Sequence, residues 1–256
     1  MNNRNPGILQ RYLARIKRQP RGQSFIELIL VLMLLMMILA ATTEFGFLLN
    51  NYLHVLDGAR EAARYSSTSQ IFQMNANGTI KTTPPVGGLE NNNWPFYYIA
   101  AAKAAITMNP VQLDPTFPDD IIVSAFAVSG NTLVRFPRSD PNGWSLCANY
   151  ANFAAYFPSV GAPVPVELSD AGWSSGCTVR TTNFSNADIL ARMDATAPHA
   201  GVLLVEIYYN YPQILKLPLL SNTEFFGVPI SPIPDPIPLY LYTIMPISSA
   251  APTQVP

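Results

Sequence analysis

The sequence predicts an α+β protein in which a long N-terminal helix packs on a small antiparallel sheet. Three observations support this fold class. An unbroken apolar run continues into an amphipathic helical pattern, β-branched segments bounded by turn residues follow later, and a loop-rich block separates those segments. We divide the chain into a basic leader (1–22), a long helix (23–66) and an outer domain (67–256).

The apolar run covers fourteen consecutive residues from Leu28 to Ala41 and carries no charge until Glu44. Fourteen residues are too few to cross a bilayer, which takes about 20. Flanking apolar residues extend the segment to 23–49, which is long enough if Glu27 and Glu44 lie near the two membrane surfaces. We therefore predict a membrane segment here.

Charge is distributed unevenly around this segment. Residues 1–22 hold six of the fifteen cations and no acid, whereas the rest of the chain carries a net charge of −7. Cations beside an apolar helix stay on the cytoplasmic side, so we expect the N-terminus in the cytoplasm and the outer domain beyond the membrane. One basic arm supplies no nucleic-acid recognition fold, and we predict no nucleic-acid partner.

The helical pattern continues over residues 45–66 with apolar residues at alternating steps of three and four. This period predicts an amphipathic face that packs on another helix or on the sheet. Serines at 66 and 67 favour an end to the helix there. A helix over 24–65 has 42 residues and measures about 63 Å. The predicted face consists of Phe45, Leu49, Tyr52, Leu56, Ala59 and Ala63.

The outer domain contains one Ala-rich helical segment and several strand candidates. Prolines 218 and 246 place the last two strand candidates at edges or ends of the sheet. Asp119 and Asp120 precede a strand and are interpreted as solubilising loop residues. The predicted helix covers 97–106, and the predicted strands cover 121–128, 132–136, 201–209, 214–220 and 239–247.

Residues 137–199 form a block rich in Asn, Ser, Gly and Trp that we interpret as an insertion. It holds both cysteines, Cys147 and Cys177. Two cysteines in an exported domain favour one disulfide over two free thiols. Trp144 and Trp173 each lie a few residues before one of these cysteines. They either contribute to an adhesive surface or, more commonly for such residues, lie in the core.

No pattern typical of an enzyme is present. The chain lacks nucleophile-elbow, zinc-protease, phosphate-loop and dinucleotide-binding motifs. Its two histidines lie far from any paired-cysteine spacing, so no metal site is predicted. We expect neither catalysis nor a cofactor.

Glu27 requires an explanation because it lies at the start of the apolar run. One interpretation is an uncleaved signal anchor in which Glu27 reaches the membrane surface. The other is cleavage between Gly22 and Gln23, which places an α-ammonium group four residues before Glu27. Such a cation, on the same chain or on a neighbour, would pair with the carboxylate and make its burial tolerable.

A basic leader, Gly22, four residues and then Glu27 before an apolar helix resembles the processing site of type IV prepilins. Two further motifs resemble those of TadE-like proteins, which are minor pilins or pseudopilins of the Tad tight-adherence pilus. The first is EFG, formed by Glu44, Phe45 and Gly46. The second is AREAARY, formed by Ala59, Arg60, Glu61, Ala62, Ala63, Arg64 and Tyr65.

This resemblance implies a pilin-like fold, cleavage after Gly22 by a prepilin peptidase, and assembly through Glu27 and the apolar helix. The implied partners are the peptidase, the membrane, other pilin subunits and the assembly-platform proteins of a Tad system. An alternative is a signal-anchored adhesin with an intact N-terminus. A membrane-tethered hydrolase is a third hypothesis that no motif supports.

Overall fold

The computed structural model describes residues 21–68, 95–129, 132–137, 140–192, 201–216, 224–225, 228–229 and 234–247. The predicted α+β fold is confirmed: one long helix precedes an antiparallel sheet and several shorter helices. The helices are α1 (Arg21–Thr68), α2 (Pro95–Met108), α3 (Leu146–Ser159), α4 (Gly172–Ser175) and α5 (Asn186–Arg192), with a 3₁₀ turn at Val166–Leu168. The strands are β1 (Asp120–Ser129), β2 (Thr132–Phe136), β3 (Trp144–Ser145), β4 (Gly201–Tyr211), β5 (Glu224–Phe225), β6 (Val228–Pro229) and β7 (Ile237–Ile247).

Helix α1 contains 48 residues, or about 72 Å of helix. Its interior is rich in Leu, Met and Ala and lacks proline, so nothing in the sequence interrupts it. It ends in the serine-rich stretch that predicted its end. The described part of the domain does not cover the first half of α1, because the apolar window near its N-terminus is 0% buried.

The main sheet has the strand order β2-β1-β4-β7, with β3 paired to β1 beside β2. Strands β1 and β2 form the predicted hairpin, in which Ser129 lies opposite Thr132. Strand β7 lies at the edge, as Pro246 predicted, because proline cannot donate a hydrogen bond to a neighbouring strand.

The two faces of the sheet have different partners because successive side chains on a strand point to opposite faces. On one face, Val123, Val205 and Leu241 join the main core beneath α1 and α2. On the other face, Phe126 and Leu204 form a smaller cluster with Phe184 and other residues that follow the disulfide.

One strand prediction is wrong. Residues 214–216 are not a strand: β4 ends at Tyr211, and the chain then bends next to α1. Backbone N–H groups at 214 and 215 bind a side chain of α1 instead of a neighbouring strand. Residues 217–220 of the predicted strand lie outside the described residues.

The predicted apolar face of α1 is correct in its last turns and wrong in its first. Ala59 and Ala63 are buried, but Phe45 is 62% exposed and Leu49 is 47% exposed. The buried face is rotated by one residue and starts at Glu44. The face of α1 that packs on the Ala-rich helix α2 needs small residues, because the two backbones lie close together. Shape and the hydrogen bonds of Glu44 therefore decide which face of α1 is buried, rather than hydrophobicity.

The block at 137–199 contributes to the main core. Cys147 and Cys177 form the expected disulfide, with their Cα atoms 5.8 Å apart. Trp144 and Trp173 are 0% and 2% exposed, so the adhesive-surface alternative for these two residues is wrong. Their indoles stack on Tyr97 and Tyr150, as large aromatic side chains do in a close-packed interior.

Candidate functional site

The apolar half of α1 is a surface on which none of the described segments of the outer domain packs. Apart from Met37, which is of intermediate exposure, its large side chains from Phe25 to Leu39 are between 47% and 63% exposed. This helix is long and apolar enough to cross a bilayer. Glu27 is exposed in its second turn. Gly22 and Gln23 lie in its first turn, and their exposure is outside the described part of the structure.

Glu44 ends the apolar segment and binds α1 to the outer domain. Its carboxylate is 5% exposed. Oε1 accepts hydrogen bonds from the Tyr211 hydroxyl at 2.8 Å and from the Ile214 N–H at 2.9 Å, and Oε2 accepts one from the Leu215 N–H at 2.7 Å. Three donors, two of them backbone groups, replace the water that the buried carboxylate loses.

The other two residues of the EFG motif are not packed against the described part of the domain. Phe45 points away from the domain and is largely exposed. A Cβ atom added to Gly46 would meet no heavy atom within 4 Å. Within one chain, therefore, nothing in the described structure requires glycine at this position, whereas Glu44 has a defined internal role.

The alanines of the AREAARY motif form a close helix–helix contact. Ala59, Ala62 and Ala63 are each 0% exposed and lie in the core with the alanines of α2. Just before them, a Cβ added to Gly58 would lie 2.4 Å from Met108 Cγ and 2.9 Å from the Ala104 carbonyl oxygen. Small side chains let the two backbones approach each other, and the motif acts as internal packing.

The charged residues of the same motif lie on the outer side of α1. Arg64 donates two hydrogen bonds of 2.7 Å to the Glu61 carboxylate, and this hydrogen bonding holds the pKa of Glu61 below its ordinary value. Arg60 lies 3.6 Å from Asp57. Tyr65 sits beneath the Lys103 ammonium group, 5.5 Å from ring centroid to nitrogen. These are surface pairs of small energetic value.

Asp119 and Asp120 were wrongly interpreted as solubilising loop residues, since both are 0% exposed. Asp119 accepts bonds from the Asn210 amide groups and the Asp114 N–H. Asp120 accepts bonds from the Ser145 hydroxyl and from the N–H groups of Cys147 and Arg180.

These two carboxyl groups are structural. Burial raises the pKa of each to about 6, although the hydrogen bonds they accept act in the opposite direction. Asp120 ties together the two chain segments that flank the disulfide loop. Among the described residues, no group of three or more His, Cys, Asp or Glu side chains is placed to hold a metal ion.

Sequence reasoning missed the partners of Glu44. Tyr211 and the N–H groups of 214 and 215 come from a segment about 170 residues away, and the sequence predicted a strand there. The isolated acid at the end of the apolar run was the only signal, and it indicated that Glu44 needed a partner without identifying one.

In this chain an exposed apolar helix continues without a break into a packed α+β domain. This arrangement is typical of the class of proteins that are attached to a membrane by a single N-terminal helix. Residues 22–64 match the family model described as TadE-like protein, which confirms the resemblance of this segment. The match covers most of α1 and leaves the outer domain unmatched. No curated protein and no solved structure matches the chain.

Proposed function

We propose that this protein is the precursor of a minor pilin or pseudopilin of a Tad-type pilus. A prepilin peptidase cuts it after Gly22, and the mature chain is assembled into the pilus, or assists its assembly, for surface adherence. Its role is structural rather than catalytic, and its N-terminus lies in the cytoplasm before cleavage.

One observation supports this function most directly. From Ser24 to Thr43, α1 carries Glu27 as its only charged residue, and its apolar window is 0% buried within the described structure, while the half that follows Glu44 packs on the outer domain. The two halves therefore have different partners. The TadE-like match spans both halves.

The proposed mechanism is charge pairing at the start of the helix. Cleavage gives Gln23 an α-ammonium group with an ordinary pKa near 8. When the helix packs among other apolar helices, Glu27 loses water and needs a cation. The new chain end of the same subunit or of a neighbour supplies it, and the pair fixes the axial register of the helices.

Mass spectrometry of the protein purified from its native membrane or pilus tests the cleavage. A mature chain that begins at Gln23 supports the proposal, and Gly22→Leu should block this cleavage. An intact Met1 in protein from cells with working pili would exclude it and favour the signal-anchored adhesin.

A substitution tests the pairing. Glu27→Ala should leave membrane insertion unchanged and reduce recovery in sheared pilus fractions at least ten-fold. Glu61→Ala removes an acid from a partly exposed position of the same helix and is the matched control, with recovery expected near the wild-type level. Equal recovery of both variants would contradict the role of Glu27.

A further inference from the structure

Beside α1, at the end of the apolar segment, the outer domain presents a short apolar loop. Residues 214–216 follow β4, and their first two side chains are apolar and outward-facing: Ile214 is 54% exposed and Leu215 is 41% exposed. Among the described residues, these are the exposed large apolar side chains that the domain places next to Glu44.

The depth of this loop relative to α1 is fixed by hydrogen bonds. The N–H groups of Ile214 and Leu215 lie 2.9 Å and 2.7 Å from the Glu44 carboxylate oxygens that accept them. The loop therefore cannot slide along the helix without breaking these bonds, and its height along α1 is the height of Glu44.

The depth of Glu44 relative to a bilayer follows from helix length. Residues 24–43 contain no charged residue except Glu27 and span about 30 Å at 1.5 Å per residue. The hydrocarbon core of a bilayer has about the same thickness. If these residues cross it, Glu44 lies within about one turn of the outer boundary of the hydrocarbon, and so does the loop.

We propose that Ile214 and Leu215 insert into the outer face of the bilayer and rest the outer domain on the membrane. The partner is the lipid surface at the boundary between headgroups and acyl chains. Phe45 is the residue of α1 that follows Glu44 and is 62% exposed, so it can insert into the bilayer at the same depth as Ile214 and Leu215. The loop and α1 then hold the domain by two contacts instead of one.

This arrangement goes beyond the pilus proposal and rests only on its membrane segment. A domain held by one helix is free to rotate and tilt about it. A second contact limits this rotation and tilting, and it keeps the part of α1 that carries Phe45 at the membrane surface. Extraction of the subunit from the bilayer would then require release of the loop as well as of the helix.

Photo-crosslinking to lipid tests the contact. The full chain carrying benzoylphenylalanine at Leu215 is reconstituted in liposomes of phosphatidylethanolamine and phosphatidylglycerol, irradiated, and analysed for lipid adducts. We expect lipid adducts at Leu215 at least ten-fold above those at the control position Val166.

Val166 is a suitable control because it is 78% exposed but far from the expected membrane surface. Its neighbour Glu167 accepts a hydrogen bond from Asn109, the residue that follows the end of α2. At this end of α2, Met108 lies against Gly58 of α1, so Val166 is near the height of Gly58. Gly58 is fourteen residues beyond Glu44, or about 21 Å further along α1.

A third position separates this inference from the membrane segment itself. The same label at Leu32, in the middle of the apolar helix, should give lipid adducts whenever α1 crosses the bilayer. Adducts at Leu32 with equal yields at Leu215 and Val166 would overturn the loop contact alone. A lack of adducts at Leu32 would overturn the membrane segment and the loop contact together.

Discussion

At the scale of single residues, the structure assigns two different tasks to the two acids of the apolar helix. Glu27 is exposed and lies in the apolar half of α1, which is not buried by the described parts of the domain, whereas Glu44 is buried and bound by three donors. An acid without an internal partner is a candidate for contacts between molecules. An acid with its hydrogen bonds satisfied internally is part of the fold.

Removal of the Glu44 carboxylate should destabilise the outer domain. Glu44→Ala leaves the Tyr211 hydroxyl and two N–H groups without their acceptor, a loss of about 2 kcal/mol in the free energy of unfolding. Glu61→Ala, which breaks an exposed ion pair on the same helix, should cost less than about 1 kcal/mol. Denaturant unfolding of the full chain in detergent micelles measures both, and equal losses would contradict the role of Glu44.

Asp119 and Asp120 should titrate near pH 6. Titration of ¹³C-labelled aspartate by NMR should show two carboxyl midpoints near 6, and Asp119→Asn and Asp120→Asn should each remove one. Midpoints that all lie at the ordinary aspartate value would contradict this prediction.

The raised pKa values have a defined consequence for stability. The folded chain retains protons on these two groups up to about pH 6, whereas the unfolded chain releases them near the ordinary value of about 4. Unfolding therefore releases protons between these limits. The contribution of these groups to stability is complete below about pH 4, falls as pH rises to 6, and is constant above.

At the scale of elements, the close contact between α1 and α2 depends on small residues, and above all on glycine at position 58. Gly58→Val would bring new atoms against the backbone carbonyl of Ala104, which cannot move as a side-chain end can. Such overpacking should cost about 1–3 kcal/mol in the free energy of unfolding. A stability equal to that of the wild type would show that the two helices separate easily.

Gly46→Ala is the matched control on the same helix. A Cβ at this position meets no heavy atom within 4 Å, so the change should leave stability unchanged or raise it by about 0.5–1 kcal/mol, since alanine favours helix more than glycine does. If this variant is stable and yet fails to enter pili, the glycine of EFG acts in contacts between subunits.

The disulfide is the second element whose contribution can be measured. Cys147 and Cys177 are 30 residues apart, and closing a loop of this size stabilises a folded chain by roughly 3.5–4 kcal/mol in the chain-entropy model. The double substitution Cys147→Ser and Cys177→Ser should lower the unfolding midpoint accordingly. A reducing agent should shift the wild-type midpoint in the same direction and leave that of the variant unchanged.

At the scale of the whole molecule, α1 belongs to two environments. Its first half is available to a membrane or to other helices, and its second half is part of the main core with α2, β4 and β7. The boundary is Glu44, which is also where the outer domain returns to touch the helix. The outer domain therefore holds α1 through this carboxylate and through the direct contacts of the second half with α2, β4 and β7.

The sequence by itself determined the elements whose signal is local. The apolar run, the hairpin of β1 and β2, the strand β4 and the proline-marked edge strand β7 follow from periodicity, β-branching and turn residues, because these properties act over a few neighbouring residues. A pair of cysteines in a domain that we predicted to lie beyond the membrane was enough to indicate the disulfide.

Only the tertiary structure decided which polar residues are internal and which apolar residues face outward. Glu44, Asp119 and Asp120 are buried because donors from distant segments reach them, and Phe45 is exposed because the close contact with α2 favours the alanine side of α1. Burial is a property of what packs on a residue, and that neighbour is set by chain topology rather than by the residue's own hydrophobicity.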